Sequence, residues 1–175
     1  MIVYRHADPR FPFLWEGVDQ PAARWHGPGE GPVQYLADTP DGAWAEFLRH
    51  EGITKEAELI NVRRALWAIE IPDDLPAETP RLPNRVLTGG IGTYEECQRE
   101  ARRLRDSGAA ALRTPSAALL PGGATGWKVD GGLMPAAERD GMVFAVFGAR
   151  PDFVGWIAAF AARPRSGLLD RVRHL

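Results

Sequence analysis

Three side chains that could do chemistry fall close together in RWHGPGEGPVQYLADTPDGAWAE, residues 24–46. Arg24 could hold an anionic group through two parallel hydrogen bonds, because a guanidinium matches the geometry of a phosphate or a carboxylate. Tyr35 offers a ring face for stacking, and Glu46 offers a carboxylate that can stabilise a positive charge. The three side-chain types together would suit a cleft that binds an anion and stabilises a cation.

Each of these residues also has an ordinary structural interpretation. Arg24 could be a solvated surface arginine and Tyr35 a half-buried residue of a sheet. Glu46 could pair with Arg49 or His50, which follow at the three- and four-residue spacings that bring helix side chains together. The residue types alone leave both interpretations open.

The local sequence predicts the elements that would position these side chains. PVQYLA (32–37) is typical of a short strand, and Thr39 followed by Pro40 predicts the start of a helix. That helix has an apolar face and should end at Gly52. A turn, a strand and a helix would therefore carry the three candidate side chains in chain order.

The remaining elements mix strands and helices without the regular alternation of a doubly wound fold. The clearest helix spans 93–108, with a capping box formed by Thr93 and Glu96 and a stop at Gly108. The apolar segment 153–162 predicts a buried helix or strand. Strands are further predicted at VYRH near the N-terminus, at 65–71, at 110–120 in two pieces broken around Pro115, and at 142–147.

These elements favour an α+β fold with a mixed, largely antiparallel sheet and flanking helices. The Pro-rich segment 72–85 reads as a long surface loop between two structured halves. A length of 175 residues without a dividing linker predicts a single domain, residues 1–175.

Composition narrows the classes of protein. The net charge is −2 and no basic stripe is present, which argues against direct nucleic-acid binding. Cys97 is the only cysteine, so no internal disulfide can form. No secretory signal opens the chain, and the apolar run near the C-terminus is too short to span a bilayer. We therefore expect a cytoplasmic protein without a membrane association.

Two further patterns carry little chemical signal. The four histidines do not form a metal-ligating motif, so we expect no metal. GGIG (89–92) precedes a helix but lacks the Lys-Ser/Thr of a phosphate-binding loop, so we interpret it as a turn.

Three blocks in order along the chain resemble the RES domain family. RWHGPGEGPVQYLADTPDGAWAEFLRHE (24–51) is similar to that family's Arg-Trp turn, its Tyr-containing strand and its helix with a single Glu. LRTPSAALLPG (112–122) is similar to its Leu-x-x-Pro-Ser segment, and YRH (4–6) resembles its opening strand. The family often continues with an Asn-rich segment, whereas residues 122–132 here contain no Asn.

The resemblance implies a fold and a substrate. RES proteins resemble ADP-ribosyltransferase toxins, with NAD bound in a cleft of a largely antiparallel sheet. Many are toxins of toxin–antitoxin pairs that degrade NAD by hydrolysis or phosphorolysis without a metal. We therefore expect NAD as substrate and a small helix-turn-helix antitoxin as a candidate partner, while oligomer formation stays open.

The resemblance also assigns site residues. It places Arg24, Tyr35, Glu46 and Ser116 in the catalytic site. Beside these four, Arg5 and His26 are candidates for further phosphate or ribose contacts. The expected roles are a diphosphate clamp for Arg24, a stacking surface for Tyr35, a charge-stabilising carboxylate for Glu46 and a hydrogen bond to the substrate from Ser116.

Two other functions stay open at this point. One is transfer of ADP-ribose to a protein, which would use the same cleft. The other is a non-catalytic interaction module that keeps the fold. The complete set of four site residues argues against the module, and the missing Asn segment argues for it.

Overall fold

A seven-stranded sheet organises the computed structural model, which describes residues 1–174. Its strands are β1 (Ile2–Ala7), β2 (Val33–Ala37), β3 (Arg64–Glu70), β4 (Ala77–Glu78), β5 (Ala111–Pro115), β8 (Met142–Phe147) and β9 (Val154–Ala162), while β6 (Trp127–Val129) and β7 (Leu133–Pro135) form a separate hairpin. The order across the sheet is β4-β5-β8-β2-β1-β3-β9, and only the β4–β5 pair is parallel.

Helices pack on one side of this sheet. They are α1 (Pro40–His50), α2 (Asn84–Leu87) and α3 (Tyr94–Asp106), with 3₁₀ turns at Glu56–Asn61, Ile91–Thr93 and Ser166–Arg171. The predicted α+β fold with a mixed, largely antiparallel sheet is confirmed. No helix within residues 1–174 has the length and apolar character needed to cross a membrane.

The two faces of the sheet bury different clusters. Tyr35 and Leu112 lie on the face that α1 and α3 cover, which we call the helical face. Val3 and Ile69 lie on the opposite face, where the segment carrying Phe13 covers them. Because strand side chains alternate between faces, the register of β1, β2 and β8 decides which candidate residues can meet.

The start and the end of α1 follow the sequence signals. Thr39 has extended backbone, and its hydroxyl oxygen accepts a hydrogen bond from the Gly42 N–H at 3.0 Å. Pro40 occupies the first turn, where no N–H is needed. Gly52 follows the last turn with φ of 65°, a left-handed conformation that favours glycine. The predicted helix is confirmed, and its start and end determine which way the Glu46 side chain points.

The predicted capping box of α3 is wrong, although the helix and its stop at Gly108 are present. A 3₁₀ turn runs directly into α3, so Thr93 already has helical backbone, with φ of −98° and ψ of −3°. A capping side chain needs an extended backbone to reach back to the helix. The Thr93 hydroxyl instead donates to the Gly90 carbonyl at 2.8 Å.

The C-terminal apolar segment is also corrected. It forms strand β9, which lies at the edge of the sheet and is largely exposed rather than buried. Trp156 is 61% exposed and Phe160 is 66% exposed. The pairing of β9 with β3 is interrupted by two register shifts, and Ala161 has a positive φ of 49°. The apolar composition indicated a buried element, but it could not indicate that β9 would lie at the sheet edge with most of its side chains exposed.

Two smaller predictions differ from the structure. Only the first half of 110–120 forms a strand of the sheet, because the chain turns at Ser116. The 72–85 loop contains the two-residue strand β4 and reaches the start of α2. The segment 122–132 contains β6 and the turn of the β6–β7 hairpin, whose Trp127 and Leu133 side chains are exposed.

Candidate active site

A carboxylate and a hydroxyl meet where α1 passes the end of β5. Glu46 is half-buried on α1, and Ser116 is buried directly after β5. The Ser116 Oγ donates a hydrogen bond to Glu46 Oε1 at 2.9 Å. The same Oγ accepts hydrogen bonds from the N–H groups of Ala118 at 3.1 Å and Leu119 at 2.9 Å. These two donors fix the hydroxyl so that its proton points at the carboxylate.

The surroundings of Glu46 alter its acidity. Burial raises the pKa of Glu46 above its ordinary value, because removal from water disfavours the charged form. The Ser116 hydrogen bond and the charges of Arg49 and Arg24 act in the opposite direction. The site therefore holds a carboxylate that is poorly hydrated yet supported by specific partners.

Arg49 is the nearest arginine along the helix, and it is buried. Its Nη1 donates to the Ala117 carbonyl, and its Nη2 donates to the Gly89 carbonyl at 2.7 Å. His50 lies instead against Glu51 at the exposed end of α1. The helix pairing considered for Glu46 is therefore replaced by the Ser116 contact, and Arg49 joins two loops beside the carboxylate.

Arg24 is buried in the same region. Its Nη1 donates to the Val86 carbonyl and to Thr93 Oγ1, both at 3.2 Å, and its Nη2 donates to the Gly89 carbonyl at 2.6 Å. The guanidinium carbon lies 4.8 Å from the ring centroid of Tyr94. These contacts tie Arg24 to the loop before α3, so they favour a role in shaping the cleft over the expected direct clamp.

Gly89 joins the two arginines, because its carbonyl accepts hydrogen bonds from both. A Cβ at this position would stand 2.8 Å from the Arg85 carbonyl oxygen, closer than real contacts allow. Glycine is therefore required for the carbonyl to reach both guanidinium groups. The GGIG segment is a turn, as expected, and it also organises the site.

Tyr35 is held by its hydroxyl. The Trp25 N–H donates to the Tyr35 oxygen at 2.9 Å, and His26 Nδ1 lies 3.0 Å from the same oxygen. His26 Nε2 lies 3.0 Å from the Pro21 carbonyl and must donate to it, so Nδ1 accepts the Tyr35 proton. Burial lowers the pKa of His26 and raises that of Tyr35, which keeps both neutral. The ring of Tyr35 is thus positioned while its hydroxyl is occupied.

Arg5 lies apart from these residues. The register between β1 and β2 pairs Tyr4 with Ala37, so Tyr35 shares the helical face with Tyr4 and Arg5 points to the other face. There its Nη1 donates to Gln34 Oε1 at 3.3 Å. Burial lowers the pKa of Arg5 to about 10, which leaves it charged at neutral pH. The structure brings Arg24, Tyr35, Glu46 and Ser116 to one side of the sheet and leaves Arg5 on the other.

A pocket of about 440 Å³ opens beside the Ser116 loop. Arg173 donates to the Ala117 carbonyl at 2.8 Å, as Arg49 does from the other side. The lining consists of Arg49, the loop residues Thr88, Gly89, Gly90 and Ile91, and the C-terminal residues Arg173 and His174. Within residues 1–174, no group of three or more His, Cys, Asp or Glu side chains could hold a metal ion.

Sequence reasoning missed three residues of this region. Arg49 was considered only as a partner of Glu46, although its spacing does place it beside the carboxylate. Tyr94 carried no signal beyond its position at the start of α3. Arg173 lies 57 positions from Ser116, so only the folded chain could bring it to the site.

This geometry defines a class of protein. It is an α+β protein with a serine-bound carboxylate and buried arginines on the helical face of its sheet. The family model described as RES domain matches residues 2–160. The chain therefore belongs to the RES domain family.

One solved structure shares the fold over almost the whole chain. It is the crystal structure of the M. tuberculosis MbcT–MbcA toxin–antitoxin complex, with a TM-score of 0.61 and 18% sequence identity. The match covers 97% of this chain and 86% of that chain. Among curated proteins, none matches the sequence.

Proposed function

We propose that this chain cleaves NAD at the bond between nicotinamide and ribose. The observation that carries the proposal is the Glu46 carboxylate, half-buried and bonded to Ser116, with Arg24 and Arg49 nearby. Membership of the RES domain family supports the choice of NAD, because the family resemblance implies that substrate. The fold shared with a toxin–antitoxin complex supports a toxin role with an antitoxin as partner.

The chemistry needs a negative charge close to the ribose. The N-glycosidic bond breaks through a ribose with oxocarbenium character, as in glycoside hydrolysis. A carboxylate stabilises that cation most strongly where water is excluded, because the effective dielectric constant is low there. Glu46 would supply this charge, and Ser116 would hold the carboxylate in one orientation. The ring of Tyr35, fixed through its hydroxyl, would limit the movement of the substrate.

The arginines supply the complementary charge. The whole chain carries a net charge of −2, yet Arg24, Arg49 and Arg173 gather around the loops next to Glu46. Such a local excess of positive charge attracts an anionic ligand into a cleft of an otherwise acidic protein. A dinucleotide, with its anionic diphosphate and its cationic nicotinamide, matches this pairing of arginines and one carboxylate.

Incubation with NAD tests the proposal. We expect the purified protein to release nicotinamide in the presence of a chelator, as followed by chromatography. Reactions with and without inorganic phosphate, and with a protein extract, separate hydrolysis, phosphorolysis and ADP-ribosyl transfer by their ribosyl products. A failure to release nicotinamide under all three conditions at micromolar enzyme would leave the non-catalytic module as the better interpretation.

The raised pKa of Glu46 predicts a pH dependence. The ionised carboxylate is the active form, so turnover should fall as pH drops through a pKa that lies above the ordinary 4.5. Ser116→Ala removes a hydrogen bond that lowers this pKa, and the acid limb should move to higher pH. Profiles of kcat between about pH 4 and pH 9 measure both limbs.

Ser107→Ala provides the matched control for this shift. Its hydroxyl donates to the Leu104 carbonyl at the end of α3, away from Glu46. The control should keep the wild-type profile. An acid limb that moves to lower pH in Ser116→Ala would contradict the assigned direction of the hydrogen bond.

A further inference from the structure

The C-terminal segment returns to the site although the family match ends at residue 160. Leu168 is fully buried in the 3₁₀ turn Ser166–Arg171 against the core that includes α1. Val172 then forms a bridge with Leu119, and the Arg173 N–H donates to the Ala118 carbonyl at 2.6 Å. These contacts fix Arg173 against the loop that carries Ser116.

The side chain of Arg173 has donors to spare. Its Nη1 donates to the Ala117 carbonyl, while Nε and Nη2 have no hydrogen-bond acceptor in the part of the chain that the structure describes. Arg173 lines the 440 Å³ pocket together with Arg49, which adds a second permanent positive charge. Counting residues 1–174, the lining of this pocket includes no carboxylate. The lining within these residues is therefore positively charged, while the Glu46 carboxylate that interacts with Arg49 lies outside it.

Backbone groups add to this charge. The Gly89–Ile91 loop also lines the pocket and runs through a 3₁₀ turn into α3, a helix of 13 residues. The N-terminal end of a helix carries partial positive charge and N–H groups that face outward. The loop that lines the pocket leads to this end of α3, so the partial charge of the helix adds to the charges of the two arginines.

We infer that this pocket is a binding site for a phosphoryl group, with Arg173 of the C-terminal segment as its principal ligand. Guanidinium groups bind phosphate oxygens through paired, charge-assisted hydrogen bonds. The role of the site in NAD cleavage rests on the proposed function, whereas the binding itself does not. The phosphoryl group can come from the diphosphate of a nucleotide or from inorganic phosphate.

The melting temperature tests the site with inorganic phosphate as probe, at constant ionic strength set with chloride. A ligand that binds the folded state raises the melting temperature as its concentration passes the Kd. Arg173→Gln should weaken phosphate binding about 10- to 100-fold, the loss expected for a charged hydrogen-bonded contact. Arg173→Lys should retain part of the response because it keeps the charge but not the paired geometry.

Arg163→Gln is the matched control, since it removes one positive charge from the same segment at an exposed position outside the pocket lining. It should respond to phosphate as the wild type does. The proposed site would be wrong if phosphate raised the melting temperatures of the Arg173→Gln and Arg163→Gln variants equally. It would also be wrong if neither variant responded to phosphate. If the glutamine variant does not fold, an undiminished response in Arg173→Lys does the same.

Addition of ADP identifies the source of the phosphoryl group. Competition between ADP and phosphate assigns the site to a nucleotide diphosphate, and additive stabilisation assigns it to separate inorganic phosphate. Nicotinamide release is measured on the same samples. A phosphate response without release contradicts the proposed function alone, and release without a phosphate response contradicts this site alone.

Discussion

Replacement of Glu46 by Gln should lower the turnover of NAD on the order of 10²–10³-fold while the KM changes little. The carboxylate would stabilise a charge that develops only in the transition state, so its loss should not affect binding of the ground state. The amide is nearly the same size and can still accept the hydrogen bond from Ser116. The melting temperature should therefore stay close to that of the wild type.

Glu51→Gln controls for the loss of a carboxylate near α1, because the Glu51 side chain is half exposed and lies next to His50. Steady-state kinetics of nicotinamide release on both variants, with thermal melts, decide the outcome. Normal turnover in Glu46→Gln would show that this carboxylate has no part in the mechanism. The family resemblance would then extend to the fold but not to the role of Glu46.

Replacement of Arg24 by Ala should lower the free energy of unfolding by about 3–5 kcal/mol. The change removes donors from the carbonyls of Val86 and Gly89 and from the Thr93 hydroxyl, all next to a buried side chain. Each hydrogen bond from a charged donor contributes about 1.5–3 kcal/mol, and less where the acceptor keeps a second donor, as the Gly89 carbonyl does with Arg49. The contact with the Tyr94 ring is lost as well. Urea unfolding measures this difference.

A direct diphosphate clamp makes a different prediction for the same variant. It would weaken NAD binding by about 1.5–3 kcal/mol and leave the fold intact. Arg102→Ala is the matched control on α3, since Arg102 pairs with Glu30 at the surface and should leave the unfolding transition nearly unchanged. Wild-type stability combined with a raised Kd would favour the clamp for Arg24.

Local signals account for what the sequence could predict. Thr39, Pro40 and Gly52 act within one or two turns of α1, so the direction of Glu46 follows from neighbours in the chain. The alternation in β2 likewise places Tyr35 on the face opposite to Gln34. These features together predicted both the α+β class and the elements that carry the candidate residues.

Contacts between distant segments account for what it could not predict. The pairing of Ser116 with Glu46 spans 70 positions, and that of Arg24 with Gly89 spans 65. The sequence left a surface position open for Arg24, because its carbonyl acceptors at Val86 and Gly89 lie 62 and 65 positions further along the chain. The position of Arg5 depended on the register of β1, since a shift of one residue would have turned it to the helical face.

The irregular course of β9 has a consequence for how copies of the chain behave in a crowded solution. A long, uncharged and apolar edge strand would normally template the addition of further strands and lead to aggregation. Pairing with β3 is regular only from Val154 to Ile157, after which two register shifts and the left-handed backbone at Ala161 break the ladder. An incoming strand therefore finds regularly spaced N–H and C=O groups over a short stretch only. The irregular backbone, and not the apolar composition, protects β9 against the addition of further strands.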